Sequence, residues 1–119
     1  MAKRSRRRGG GQLTPQRRYE RAVARHQAGE FASAGEDYAA VVRERPNTHE
    51  AWHAYGVLGL QQGDAARAIE RIERAVELSP RHGDYLANLG SAYELANRLD
   101  DAIDAYQNAL ALDPSDIDT

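Results

Sequence analysis

The sequence predicts an all-α protein: three stacked helix-turn-helix units behind a basic N-terminal arm. Three observations carry this. Pro46, Pro80 and Pro114 stand 34 residues apart, and a fixed period in the thirties marks stacked helical repeats. Further columns keep the same period: Ala34, Ala68 and Ala102; Ala22, Gly56 and Gly90; Tyr38, Ile72 and Tyr106; Val41, Ala75 and Ala109; Gly29, Gly63 and Asn97. Within a unit, apolar residues recur at helical spacing, as Ile69, Ile72 and Val76 do at i, i+3 and i+7.

Each column has a physical reason. Small residues at facing places let two antiparallel helices approach; larger side chains would overpack the contact. Gly or Asn just past a helix end can adopt the left-handed conformation that closes the last turn. Proline stops the second helix because it donates no hydrogen bond.

Taken in order, residues 1–14 read as a disordered arm, basic and Gly-rich and without periodicity. Residues 15–119 form the repeat domain, with units at about 15–48, 49–82 and 83–116. Six helices are expected near 15–28, 31–44, 49–62, 65–78, 83–96 and 99–112, with boundaries good to about two residues. Thr14-Pro15 opens the first, with Thr as cap and Pro in the first turn. Asn47 and Glu50 have the spacing of a capping box. Asp64 and Asp100 fall at or near helix starts, where a carboxylate can meet free N–H groups.

The two ends differ. Arg18, Arg21 and Arg25 hold places that are mostly apolar in later units, which reads as a polar flank closing the front of the array. At the back, Ile103, Tyr106 and Leu110 repeat the columns of Ile69, Ile72 and Val76. They leave an apolar face ready for a neighbour. That neighbour is expected to be a continuation of the chain, since Asp116 to Thr119 read as the opening of a fourth helix. The other covers are a second copy meeting end to end, or a partner.

The columns resemble the tetratricopeptide repeat, W-x2-L-G-x2-Y, then A-x3-F, then P. The third unit supplies Leu86, Leu89, Gly90, Tyr93, Ala102, Tyr106 and Pro114. The second supplies Trp52, Tyr55, Gly56, Ala68, Ile72 and Pro80, with Gly59 where an aromatic is usual. The first is weaker, with Arg18, Arg21, Ala22, Arg25, Ala34, Tyr38 and Pro46. The resemblance implies a right-handed superhelical array whose first helices line a concave groove for a protein or peptide. The implied lining is Tyr19, Val23 and His26, then Glu50, His53, Val57 and Leu60, then Asp84, Ala87, Asn88, Ser91 and Glu94. Such a groove starts neutral and aromatic and turns acidic, which suits a peptide with an apolar anchor and a basic segment. A subset of the family clamps chaperone C-termini with Lys, Asn and Arg. The matching places here hold Tyr19, Val23, Ala54, Asp84 and Asn88, so acidic chaperone tails are not expected to bind in that way. His26 and His53 are expected to titrate near pH 6 in the groove.

Composition bounds the function. The net charge of −2 hides an asymmetry: residues 1–18 hold seven Lys/Arg and no acid, while residues 19–119 hold nine Arg and eighteen acids. The arm residues Lys3, Arg4, Arg6, Arg7 and Arg8 are expected to be solvated. Contact with nucleic acid or an acidic surface, or folding back onto the acidic repeats, are the other readings. There is no cysteine, so neither disulfides nor thiolate metal sites exist. No apolar run approaches the ~18 residues of a membrane span, and Gly9 to Gln12 follow the basic start where a signal peptide needs an apolar stretch. A cytoplasmic protein with no membrane association is expected. Fifteen Arg to one Lys suggest a bacterial, G+C-rich genome.

One catalytic pattern appears. His49-Glu50-Ala51-Trp52-His53 matches H-E-x-x-H, whose two His share a helix face and bind zinc. The third ligand of the longer pattern falls on Gly59. The repeat already accounts for Trp52, so His49 and His53 stay a metal-binding pair in pattern only, and no metal, cofactor or catalytic residue is expected. The expected function is a protein–protein interaction scaffold or adaptor. The alternatives are the N-terminal recognition module of a larger enzyme, such as a bacterial glycosyltransferase or sulfotransferase, and a nucleic-acid-associated protein acting through the arm.

Overall fold

The computed structural model describes residues 13–112. The basic arm before Leu13 and the expected fourth-helix start after Leu112 lie outside the described residues. Six helices follow one another: α1 (Pro15–Gln27), α2 (Phe31–Glu44), α3 (His49–Gln61), α4 (Ala65–Leu78), α5 (Gly83–Leu95) and α6 (Leu99–Ala111). No strand occurs among the described residues. Each predicted helix is present, with its ends within one residue of expectation. None is long and apolar enough to cross a membrane. The helices pair within units as α1/α2, α3/α4 and α5/α6, and units touch through α2/α3 and α4/α5.

The helix ends follow local chemistry. Thr14 caps α1, its Oγ1 accepting from the Arg17 N–H at 3.1 Å, and Pro15 takes the first helical place. Asp64 caps α4 in the same way through Arg67 N–H at 3.2 Å. The expected capping box at Asn47 does not form. Thr48 precedes α3, and no side chain caps it. Asp100 sits inside the first turn of α6, two residues past the cap position at Arg98, where its charge still favours the helix dipole. Gly29, Gly63 and Asn97 take φ of 81°, 76° and 61°. At each, the next N–H returns to the carbonyl five residues back, from Glu30 to Arg25, Asp64 to Gly59 and Arg98 to Tyr93, all at 2.8 Å. This is the left-handed closure that the column of Gly and Asn predicts.

The core runs along the array. Ala22, Ala34, Tyr38 and Leu58 join the first two units, with Val41, Val42 and Ala51 beside them. Ala68, Ile69, Ile72, Leu89, Ala92 and Ala105 join the second and third. The small column works as expected. A Cβ on Gly56 would lie 3.2 Å from the Ile72 backbone nitrogen and closer still to its side chain. A Cβ on Gly90 would lie 2.7 Å from the Tyr106 ring.

The front of the array differs from expectation. Arg21 and Arg25 are not merely a solvated flank. Both clamp Asp37, which is 4% exposed. Arg21 Nε and Nη2 donate to its two oxygens at 2.9 and 2.8 Å, and Arg25 Nη1 adds a third bond at 3.0 Å. Arg18 lies 3.7 Å from Glu44. Burial alone would push the Asp37 carboxyl up. The Arg21 hydrogen bonds and the charges of Arg21, Arg25 and Arg18 outweigh it and hold the carboxyl below its usual range. The second unit uses the same column differently. Arg71 is 8% exposed, its guanidinium 3.5 Å from the Tyr55 ring centroid and 3.3 Å from the Tyr55 carbonyl oxygen.

Asp37→Ala is expected to lower unfolding free energy by about 1–3 kcal/mol, less than the ~3–5 kcal/mol for breaking a fully buried pair, because both guanidinium groups reach water. Urea unfolding checks this. A carboxyl lowered by folding contributes stability above its unfolded pKa and loses it as pH falls through the folded value. The deficit of the variant should therefore be full above about pH 4 and shrink below it.

Candidate functional site

The first helices of the units, α1, α3 and α5, run side by side because each second helix turns the chain back. Between α1 and α3 lies an open hollow of about 540 Å³. Tyr19, Val23, His26, His53 and Val57 line it, together with Gln27, Phe31, Tyr38, Ala54 and Gln61. Five of the twelve expected groove residues therefore meet in one concavity. Tyr38 is 1% exposed and donates or accepts at His26 Nδ1 over 2.9 Å, which fixes the His26 ring edge-on to Phe31.

The remaining residues spread along α3 and α5. Glu50 is exposed and lies 3.7 Å from His49. Asp84 is exposed in the first turn of α5. Asn88 Nδ2 donates to His53 Nε2 at 2.8 Å. Ser91 Oγ meets Tyr106 Oη at 3.1 Å, and that hydroxyl donates to Glu94. Ala87 is half-buried. Leu60 packs against the core cluster of the second and third units instead of opening on the hollow, because α3 must also cover Ile69 and Leu89.

The imidazoles are structural. Tyr85, 3% exposed, stacks on His82 at 3.7 Å and on His53 at 4.3 Å between centroids. Two rings stacked at those distances must take opposite faces, so Tyr85 is sandwiched. Its hydroxyl lies 2.7 Å from His49 Nδ1. The H-E-x-x-H pair thus spends one nitrogen of each ring bridging α3 to α5. No group of three or more His, Cys, Asp or Glu that could hold a metal occurs among the described residues. The expectation that His53 titrates near pH 6 is overturned. Burial, followed by the charge of His82, lowers its pKa to about 4 against a smaller upward pull from Asp84.

The back of the array also needs one correction. Leu95, Leu99, Ile103 and Leu110 are 47%, 55%, 52% and 52% exposed. Tyr106, expected with Ile103 and Leu110 on that open face, turns inward because Gly90 leaves room for its ring. Leu99, one turn before Ile103 on α6, extends the face in its place. Asp37 and Arg71 were legible only as a column with Ala105, in which charges occupy a place that a small apolar residue also fills.

A proton titration followed by NMR should find the His53 ring neutral at pH 6, with a midpoint below pH 5. The folded value lies below the unfolded one, so the unfolded state binds more protons in between. Stability should fall as pH drops from about 6.5 through 4. A midpoint near 6.5 would remove the buried stack as its cause.

A profile of the tetratricopeptide repeat matches residues 19–71 and 56–117. Essential for maintenance of the cell wall protein 1 of Saccharomyces cerevisiae is 35% identical over 72 residues, 60% of this chain and 8% of its own. The chain spans 8–9% of the length of the first curated relatives it matches. Among solved structures, MamA aligns with a TM-score of 0.82 at 19% identity, over 89% of this chain and 62% of its own. The second TPR of Spaghetti (RPAP3), bound to the HSP90 peptide SRMEEVD, aligns at 0.80 and 16% identity, over 83% and 92%. Both structural likenesses are of fold. With the profile matching most of its length and three units in register, the chain belongs to the tetratricopeptide repeat family.

Proposed function

We propose that this chain is an interaction scaffold that binds a peptide or helix along its concave face and carries out no chemistry of its own. The observation that supports this most is the composition of that face. An aromatic and aliphatic hollow at α1/α3 continues into exposed carboxylates, Glu50 and Asp84, that make no ion pair with Lys or Arg among the described residues. An apolar anchor at Tyr19, Val23 and Val57 followed by Lys or Arg at Glu50 and Asp84 fits it. The Spaghetti domain binds an acidic peptide. Here the places that would clamp such a carboxylate hold Tyr19, Val23, Ala54, Asp84 and Asn88, and Asp84 repels it.

Photo-crosslinking tests this reading. A photoreactive residue at Val23 or Val57 should capture partner protein from the source cell, and one at Glu70 on α4 should not. Titration of SRMEEVD should show no micromolar binding. Capture from Glu70 alone, or micromolar binding of the acidic peptide, would overturn the proposal.

A second surface supports self-association. In the second unit, α4 buries Ile69 and Ile72 against Leu89 and Ala92 of the next unit. The corresponding face of α6 has no such cover among the described residues. The front of a second copy would present Arg18, Arg21 and Arg25, a poor match for Leu99, Ile103 and Leu110. The ends that complement one another are two α6 faces, so copies of this chain meet tail to tail. Sedimentation should find a dimer that Ile103→Glu converts to a monomer; a parent chain that is already monomeric would overturn this.

A further inference from the structure

We propose that the α3/α4 side of the second unit binds a small monocarboxylate, its carboxylate on the Arg71 guanidinium and its flat apolar body against Trp52. The site is separate from the concave hollow. Successive residues turn ~100° about a helix, so Trp52 and Tyr55 leave α3 on the side away from His53 and Val57. An open hollow of about 620 Å³ lies there, with Trp52, Tyr55, Arg67, Arg71 and Arg74 in its lining. That volume falls within the ~300–1,000 Å³ of small-molecule sites.

Arg71 is 8% exposed, and among the described residues no carboxylate pairs with it. Only one of its N–H donors has a protein partner there, Nη1 giving to the Tyr55 carbonyl oxygen at 3.3 Å. The guanidinium carbon lies 3.5 Å from the Tyr55 ring centroid, and stacking on that ring fixes its plane. Nε and Nη2 have no such partner and are not shut off from solvent, so the edge they share opens on the hollow. The first unit shows what that edge holds. Arg21 uses the same two nitrogens to grip both oxygens of Asp37, at 2.9 and 2.8 Å. Two parallel N–H groups match the two oxygens of a carboxylate. An uncompensated buried charge is costly. Burial, with the charge of Arg67, draws the Arg71 guanidinium below its ordinary pKa, although Tyr55, Asp64 and Glu70 oppose this. A bound carboxylate supplies the missing counter-charge.

The rest of the lining selects a single negative charge. Arg67, Arg71 and Arg74 stand there with Glu70, Glu73 and Glu77, so the hollow as a whole is neutral. Arg67 lies 3.5 Å from Asp64, and Arg74 donates to Glu77 at 3.1 Å. Glu73 accepts from the Tyr93 hydroxyl at 2.6 Å, and Glu70 is exposed. Arg71 is the one cation of the three without an acid of its own. A carboxylate adds one charge and seats it on that cation. A dianion such as sulfate brings a second charge, which the three Glu repel.

Trp52 supplies a wall for the apolar body. Its Nε1 donates to the Pro46 carbonyl oxygen at 2.8 Å, which holds the indole in place. The ring lies 6.5 Å from that of Tyr55 between centroids and 29° from parallel. Trp52 is half-buried, so part of its surface stays open to a ligand. A side chain already fixed loses little freedom on binding.

Benzoate is the probe, added to the full chain in mildly acidic buffer at constant ionic strength and followed by nitrogen-15 NMR. The Arg71 Nε–H signal is assigned by its loss in Arg71→Lys, and the chain has a single Trp indole signal. The two should shift together and saturate with a Kd of ~1–10 mM, the range for a fragment of this size. Benzyl alcohol, similar in shape but uncharged, should bind about tenfold more weakly or less. Sulfate should move the Arg71 signal less than benzoate does. Arg71→Met, which keeps bulk over Tyr55, should lose about tenfold or more in benzoate affinity, with folding checked by circular dichroism. Shifts centred on Arg67 or Arg74, equal binding of benzyl alcohol, tighter binding of sulfate, or no saturation by ~50 mM benzoate would each overturn the proposal. The Arg71 signal is read in the unaltered chain, so a variant that fails to fold leaves the test intact.

Discussion

The two helices of each unit are drawn together at one place, where Ala22, Gly56 or Gly90 faces the large side chain 16 residues later. At Gly56 and Gly90 there is no room for a methyl group against Ile72 or Tyr106. Everything else is built on that close approach. It brings Ala34, Ala68 and Ala102 into full burial on the facing helix. It also turns each second helix so that its outer stripe meets the next unit. A helix pair of this size cannot bury its own apolar surface, and stacking supplies what the pair lacks.

The same constraint shapes the ends. Where a preceding unit would stand, the chain places Arg18, Arg21 and Arg25. It then pulls two of them onto Asp37, so that the charges are satisfied within the first unit. Removing one partner of such a cluster leaves the others uncompensated, which is why it behaves as a unit. At the opposite end, among the described residues, nothing covers the apolar stripe, and Leu99, Ile103 and Leu110 remain half-exposed.

The histidines show how a local pattern takes its meaning from its surroundings. His49 and His53 have zinc-ligand spacing, but Tyr85 arrives from the next unit and takes the face where a metal would sit. Burial then favours the uncharged ring at His53. The contact between α3 and α5 is consequently aromatic and neutral on the concave side, with free carboxylates only at its N-terminal edge. That edge gives the concave face its electrostatic direction.

The sequence alone determined the repeat, the six helices and the left-handed turns, because these depend on spacing and backbone chemistry within some thirty residues. It also determined that the back of the array is apolar. The Asp37 clamp, the Tyr85 sandwich, the inward turn of Tyr106 and the retreat of Leu60 into the core were decided only by tertiary packing. Each depends on which side chain arrives from a neighbouring helix, and a periodic pattern fixes which face a residue occupies without fixing what meets it there. The family resemblance implied that Tyr19, Val23, His26, His53 and Val57 share a face, and the structure gathers these five in one hollow. The split into an apolar hollow at α1/α3 and a carboxylate edge at α3/α5 required the helices to be laid side by side.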